Sequence, residues 1–141
     1  KSSRRQAILR QSLAAVPVRD LMVQTVVSIP FECTLDEAVN RYFRPYGYGG
    51  FPVVDEGRLV GLVTVPEIQQ VPTSLWPWRR IGQVMRPFSP SMVVAPDVPV
   101  IHAMEQMARE GWDRLVVVQD GEIAGLVTQS AIMHFLQLRK M

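Results

Sequence analysis

Phe51-Pro-Val-Val-Asp-Glu-Gly-Arg-Leu-Val-Gly-Leu-Val-Thr64 is answered later in the chain by Leu115-Val-Val-Val-Gln-Asp-Gly-Glu-Ile-Ala-Gly-Leu-Val-Thr128. A constant offset of 64 residues pairs Val54 with Val118, Gly57 with Gly121, Gly61 with Gly125 and Thr64 with Thr128. Each copy is a short apolar, β-branched run, a turn with glycine, and a second β-rich run, which is the pattern of a β-hairpin. Asp120-Gly121 is the stronger turn of the two, because glycine accepts positive φ without steric cost. An internal repeat of this length governs the reading of everything around it.

The surroundings repeat as well. Val18-Arg-Asp-Leu-Met22 is matched by Ile81-Gly-Gln-Val-Met85. A short strand is expected over Val26 to Ile29, and another over Met92 to Ala95. Thr34-Leu-Asp-Glu37 has the form of a capping box, in which the threonine hydroxyl and the glutamate carboxylate satisfy free backbone N–H groups. Leu35, Ala38, Val39, Tyr42 and Phe43 then fall on one face of a helix. Val100, Ala103, Met104, Met107 and Ala108 answer them at an offset of 65. A short helix carrying Glu67 and Ile68 is expected after Thr64, and a closing helix over Ser130 to Leu138. Residues 4–14 have helical spacing, and Pro17 ends that run.

Composition narrows the function classes. The 141 residues are 48% hydrophobic and 20% charged, an ordinary globular balance. The net charge of +2 is too small to call for nucleic acid. A single cysteine, Cys33, rules out an internal disulfide framework and reads as a small buried hydrophobe. No run approaches the ~18 apolar residues of a membrane span. The chain starts at Lys1 rather than Met, so a longer parent is expected, and Lys1, Arg4, Arg5 and Arg10 suit a position just inside a membrane. Val71-Pro-Thr-Ser-Leu-Trp-Pro-Trp-Arg-Arg80 reads as a linker in which Trp76 and Trp78 pin the chain to its own domain, with a docking surface as the lesser alternative. His102 and His134 stand in neither H-E-x-x-H nor Cys-x-x-Cys settings, and Met85, Met92, Met104 and Met107 read as core filler. No Walker loop and no dinucleotide fingerprint is present. The expectation is a non-catalytic chain with no metal site.

The doubled series Val18-x-Asp-Leu-Met22, Leu35-Asp-Glu-Ala38, Phe51-Pro-Val-Val-Asp55 and Gly61-Leu-Val-Thr64 resembles a tandem pair of cystathionine-β-synthase (CBS) domains. The resemblance implies an α+β (α/β-like) fold of two pseudo-symmetric β-α-β-β-α units packed through their sheets, with two clefts between them. It implies boundaries at 1–16 for a preceding helix and linker, 17–71 for the first domain, 72–80 for the Pro/Trp linker and 81–141 for the second. A narrower likeness rests on Arg10-Gln-Ser-Leu-Ala-Ala-Val-Pro-Val-Arg-Asp-Leu-Met22, on Tyr42-Phe-Arg44 and the glycines before Phe51, and on the Trp linker. Here the chain is similar to the cytosolic C-terminal region of site-2-protease-type intramembrane zinc metalloproteases. That likeness implies a regulatory module on the cytoplasmic face, tethered through the region before Lys1, with zinc confined to the parent's protease domain. Its partners would be the membrane domain of the same chain and a second copy in a homodimer.

Many CBS pairs bind adenine nucleotides, and the resemblance therefore implies AMP, ATP or a related adenosyl ligand. In the family, Gly-h-x-Thr/Ser-x-x-Asp offers a hydroxyl and a carboxylate to phosphate and ribose. This sequence departs from it, with Glu67 in the first copy and Ala131 in the second. Thr64-x-x-Glu67 is also a capping box in its own right, with Pro66 in a tolerated position. The candidate ligand residues are Thr25 and Val27 near the first strand, Tyr48 and Phe51 beside the base, Thr64 and Glu67, then Arg114 and Thr128. Arg79 and Arg80 are further candidates for phosphate, and surface charge is the plainer reading of each arginine. The alternative function is a constitutive dimerisation or docking module with degenerate clefts.

Overall fold

Two dipeptides with positive φ close the two hairpins: Glu56 and Gly57 at 51° and 79°, Asp120 and Gly121 at 54° and 78°. Positive φ at both central positions is the type I′ geometry, whose twist matches that of the flanking strands. The computed structural model describes residue 4 and residues 15–139. The helix expected over 4–14 lies outside the described residues, apart from Arg4.

The fold is mixed α+β with two small mixed sheets. In the first repeat β1 (Ile29–Pro30) leads to α1 (Leu35–Ala38), a π-helical turn (Val39–Phe43) and α2 (Arg44–Tyr46). The hairpin strands β2 (Gly50–Asp55) and β3 (Arg58–Thr64) follow, then α3 (Val65–Gln69). A short α4 (Ile81–Val84) and β4 (Arg86–Pro87) open the second repeat. That repeat continues with β5 (Val93–Val94), α5 (Val100–Glu110), β6 (Arg114–Gln119), β7 (Glu122–Thr128) and α6 (Gln129–Arg139). The β-α-β-β-α order therefore occurs twice.

The chain forms two compact units, and they are not simply the two repeats in succession. One unit is Val27–Ser89; the other combines the described residues before Val27 with those from Pro90 to Arg139. Each unit holds the hairpin of one repeat and the opening segment of the other. In the 27–89 unit the sheet order is β1-β2-β3-β4. β1 runs parallel to β2, and β4 pairs antiparallel with β3 through Gly61↔Pro87 and Leu62↔Arg86. Its core gathers Ile29, Leu35, Ala38, Val39, Phe51, Val53, Val63, Ile68, Val71 and Ile81.

In the other unit β5-β6-β7 form the sheet. Val23 sits beside β7 as β4 does beside β3: its N–H donates to the Leu126 carbonyl at 2.8 Å and its carbonyl accepts from the Leu126 N–H at 3.0 Å. Val18 N–H donates to the Val98 carbonyl, Val100 N–H donates to the Val16 carbonyl, and Arg19 pairs with Asp97. Val18, Met92, Val100, Ala103, Met107, Leu115, Val127 and Ile132 are buried in this unit.

Two expected strands are shorter than the sequence suggests. Of the first only Ile29 joins the ladder, continued by Pro30 beyond the expected end, because Val26 to Ser28 carry the chain out of one unit into the other and pair with no strand. Only Val93–Val94 of the second does so, since Pro90–Met92 take a 3-10 turn. The helix faces are close to expectation. Leu35, Ala38 and Val39 are buried and Tyr42 and Phe43 half-buried, while Ala108 is exposed. In the linker, the Trp76 indole N–H donates to the Val71 carbonyl at 2.9 Å and the ring packs on the 27–89 core. Trp78, by contrast, is 78% exposed, so only one of the two tryptophans pins the linker.

The π-helical turn has a simple origin. The first helix runs from Leu35 to the left-handed Gly47, its counterpart from Val100 to the left-handed Gly111. The first repeat therefore has one residue more between equivalent ends, and the wider turn absorbs it while keeping Leu35 and Phe51 in the core.

The capping box at Thr34 is formed. Thr34 N–H donates to Glu37 Oε1 at 3.0 Å, and Glu37 N–H donates to Thr34 Oγ1 at 3.1 Å. These hydrogen bonds, the Thr34 backbone first and then its side chain, hold the Glu37 carboxyl below the usual glutamate range; Arg41 and Arg80 add to the effect. A carboxyl lowered in the folded state favours folding when ionised. Its contribution is complete above the unfolded-state pKa and fades as pH falls through the folded value. Urea midpoints measured across the acid range should therefore fall less steeply for Glu37→Gln than for the wild type. Parallel acid limbs would show that the box does not couple to folding.

Candidate functional site

The first repeat brings four of the candidate residues to one corner of the 27–89 unit. Gly50 and Thr64 are cross-strand partners at the open end of the hairpin, and Phe51 faces Val63. Val65 N–H donates to the Gly49 carbonyl at 3.0 Å, which staples the loop carrying Tyr48 to the start of α3. Glu67 folds back onto that start: Oε1 accepts from Thr64 N–H at 2.6 Å and from Thr64 Oγ1 at 2.7 Å. Among the described residues, the second carboxylate oxygen has no hydrogen-bond partner. Phe51 is buried at 1% exposure, and the Tyr48 ring lies 5.6 Å from it while remaining 49% exposed. Val27 is half-buried against the same core. Thr25 is exposed, lies in no regular element and belongs to the other unit.

The second repeat builds the equivalent corner from different chemistry. Arg114 pairs across the strands with Thr128, and Gln129 N–H donates to the Asp113 carbonyl at 2.8 Å. Thr128 Oγ1 accepts from Ala131 N–H at 3.1 Å, so this hydroxyl caps α6. Arg114 is not surface charge: it is buried, and its guanidinium meets Asp113 through Nε to Oδ1 at 2.9 Å and Nη2 to Oδ2 at 3.3 Å. Burial favours this two-point geometry, because an arginine without partners is costly to desolvate. The signal for it was available, since Arg114 aligns with Gly50, which is also buried.

The other candidates separate cleanly. Arg80 Nη1 donates to the Glu32 carbonyl at 2.6 Å, and Arg79 is exposed. Cys33 is half-buried rather than fully enclosed, and burial followed by the nearby Glu37 pushes its thiol above the usual range. A thiol held protonated is a poor nucleophile. His102 and His134 are exposed. Among the described residues no group of three or more His, Cys, Asp or Glu could hold a metal ion. No helix among them is long and apolar enough to cross a membrane.

One residue of the first corner escapes sequence reasoning. The Tyr46 ring lies 5.4 Å from Tyr48 and 6.2 Å from Phe51, and is 46% exposed. The change of offset between helix and hairpin, from 65 to 64, is the trace that the extra residue leaves in the sequence.

This doubled architecture has a family. The CBS domain matches residues 18–71 and again 81–138, and the chain belongs to the CBS domain family. As a CBS pair it is a regulatory module rather than a catalytic one. The chain is 24% identical over 134 residues to the putative zinc metalloprotease Rip3 of Mycobacterium tuberculosis, covering 94% of this chain and 34% of that protein. It spans between a third and a half of the length of the first curated relatives it matches. Among solved structures, the CBS domain of a bacterial CNNM/CorC family Mg2+ transporter in complex with ATP matches with a TM-score of 0.78 at 23% identity, covering 92% of this chain and 91% of that one. The CBS pair of MJ0100 in complex with 5-methylthioadenosine and S-adenosyl-L-methionine matches with a TM-score of 0.75 at 22% identity, covering 88% and 98%.

Proposed function

We propose that this chain is the regulatory CBS pair of a membrane-embedded zinc metalloprotease, held at the cytoplasmic face, and that its first repeat senses an adenine nucleotide. The parent is inferred from the likeness to zinc metalloproteases over nearly the whole of this chain and about a third of theirs. The observation that carries the sensing is the corner at Gly50 and Thr64. There an exposed tyrosine ring adjoins a strand end whose glutamate is oriented by Thr64 through one oxygen, leaving the other for ribose hydroxyls. A carboxylate that accepts both ribose hydroxyls is the arrangement used in dinucleotide folds. Thr64, whose hydroxyl is held by Glu67, orients this carboxylate rather than reaching phosphate itself. The second corner has Ala131 in place of a carboxylate and commits the Thr128 hydroxyl to a helix cap, so one nucleotide per chain is expected.

The ligand acts on the parent only through its difference in affinity for two arrangements of the pair or of a homodimer. Calorimetric titration of the chain with AMP, ATP and S-adenosylmethionine tests the reading. Heat with a stoichiometry near one supports it, and no heat at millimolar ligand removes it. The second corner favours an alternative for the whole chain, a constitutive dimerisation module. In that case sedimentation shows a dimer indifferent to nucleotide.

A further inference from the structure

The two repeats differ most where the first helix meets its hairpin. In the second repeat the residue after the left-handed Gly111 is Trp112, which is 7% exposed and donates its indole N–H to Ser91 Oγ at 3.2 Å. The residue before that glycine is Glu110, exposed and paired with Arg109. In the first repeat the same positions hold Tyr48 and Tyr46. Neither is buried, and their rings face each other at 5.4 Å with planes 34° apart. Tyr48 in turn lies at 38° to Phe51, and Phe51 makes T-shaped contacts with Phe43 and Tyr42. Five aromatic rings thus form one connected cluster, anchored in the core by Phe51 and ending outward in two half-exposed tyrosines. The π-helical turn takes up the extra residue, so that Gly47 still ends the helix as Gly111 does and the tyrosines on either side of it stand where Glu110 and Trp112 stand in the second repeat. Val65, exposed at the start of α3, is tied to the loop carrying Tyr48 by its N–H, which donates to the Gly49 carbonyl.

Two half-exposed rings tilted at 34° to each other suit a flat, π-rich ligand part better than a sugar phosphate, whose charge calls for cations or backbone N–H groups. We infer that Tyr46 is a specificity-determining residue of the first repeat, forming with Tyr48 a stacking shelf that selects a purine base. The inference rests on the nucleotide reading above and adds to it the residue that chooses the base. Glu67 would hold the ribose and Tyr46 the ring, so the two contributions separate by ligand.

The test titrates the wild type, Tyr46→Ala and Tyr46→Phe with AMP, UMP and ribose 5-phosphate, with thermal unfolding run in parallel. The wild type should bind AMP more tightly than UMP or ribose 5-phosphate. Tyr46→Ala should weaken AMP about tenfold, as loss of one base–aromatic stack does, and leave ribose 5-phosphate within about twofold. Tyr46→Phe, which keeps the ring, should retain AMP affinity. Unchanged AMP affinity in Tyr46→Ala, or an equal loss for AMP and ribose 5-phosphate, overturns the shelf and leaves the nucleotide reading standing. A wild type that binds none of the three ligands overturns both.

Discussion

Phe51→Ala should lower the stability of the 27–89 unit by about 3–5 kcal/mol, the usual cost of truncating an enclosed phenylalanine. Phe51 is the largest fully buried side chain in the protein as described. It stands where three elements meet: Tyr42 and Phe43 in the π-helical turn pack edge-on against it at 6.1 and 4.8 Å, and Tyr46 and Tyr48 lean on it from outside. A small side chain here leaves a void that neither Val63, its cross-strand partner, nor Val53, two residues along its own strand, is free to fill, since both are held in a paired ladder. Against a total stability of about 5–15 kcal/mol, such a loss brings the unit near its unfolding threshold at ambient temperature. Urea unfolding monitored by far-UV dichroism measures it. A loss under about 1 kcal/mol would mean that the aromatic cluster rearranges to fill the space, and that Phe51 does not organise it.

Gly61→Ala should cost nearly as much for the opposite reason. An added Cβ would lie 2.5 Å from the Arg86 carbonyl oxygen and 2.6 Å from Met85 Sδ. The methionine can swing aside; the carbonyl belongs to β4 and its paired backbone cannot. Overpacking of this kind costs about 1–3 kcal/mol, and the backbone contact places this substitution at the upper end. Gly57→Ala makes the control. Its Cβ would meet nothing within 4 Å, and only its φ of 79° opposes the change, at about 1–2 kcal/mol. Hydrogen exchange adds a local readout: the Phe88 N–H, which donates to the Val60 carbonyl at 2.9 Å, should lose protection in Gly61→Ala and keep it in Gly57→Ala. Equal protection in both would show that β4 is not displaced.

What the sequence reveals and what it conceals follow from the range of the forces involved. The hairpins are readable because Gly57 and Gly121 meet a local demand for positive φ, and α1 because Thr34 and Glu37 satisfy each other within one turn. The seating of the opening segments is not readable in that way. Val18-Arg-Asp-Leu-Met22 would look the same against either hairpin, and only contacts about a hundred residues away choose between them. Gly125 carries the trace: a glycine inside a strand often marks the close approach of another backbone, and here a Cβ would meet Met22 and the Val23 carbonyl. The candidate site divides likewise. Tyr48, Phe51, Thr64 and Glu67 converge because they flank one hairpin, whereas Thr25, Arg114 and Thr128 belong to the other unit. Trp76 and Trp78 are indistinguishable by composition. Their fates differ because only Trp76 finds a carbonyl, that of Val71, within reach of its indole N–H.

The reciprocal seating of residues 18–23 and 81–87 bears on how such a chain is made and taken apart. Cleavage within residues 72–80 releases two pieces, each still carrying the strand that completes the other. Alone, the first would present an unpaired β3 edge, the second an unpaired β7. Two copies of one such half could satisfy both edges by mutual exchange, as two hands clasp. Duplication and fusion of a half of that kind would turn a contact between molecules into one within a single chain.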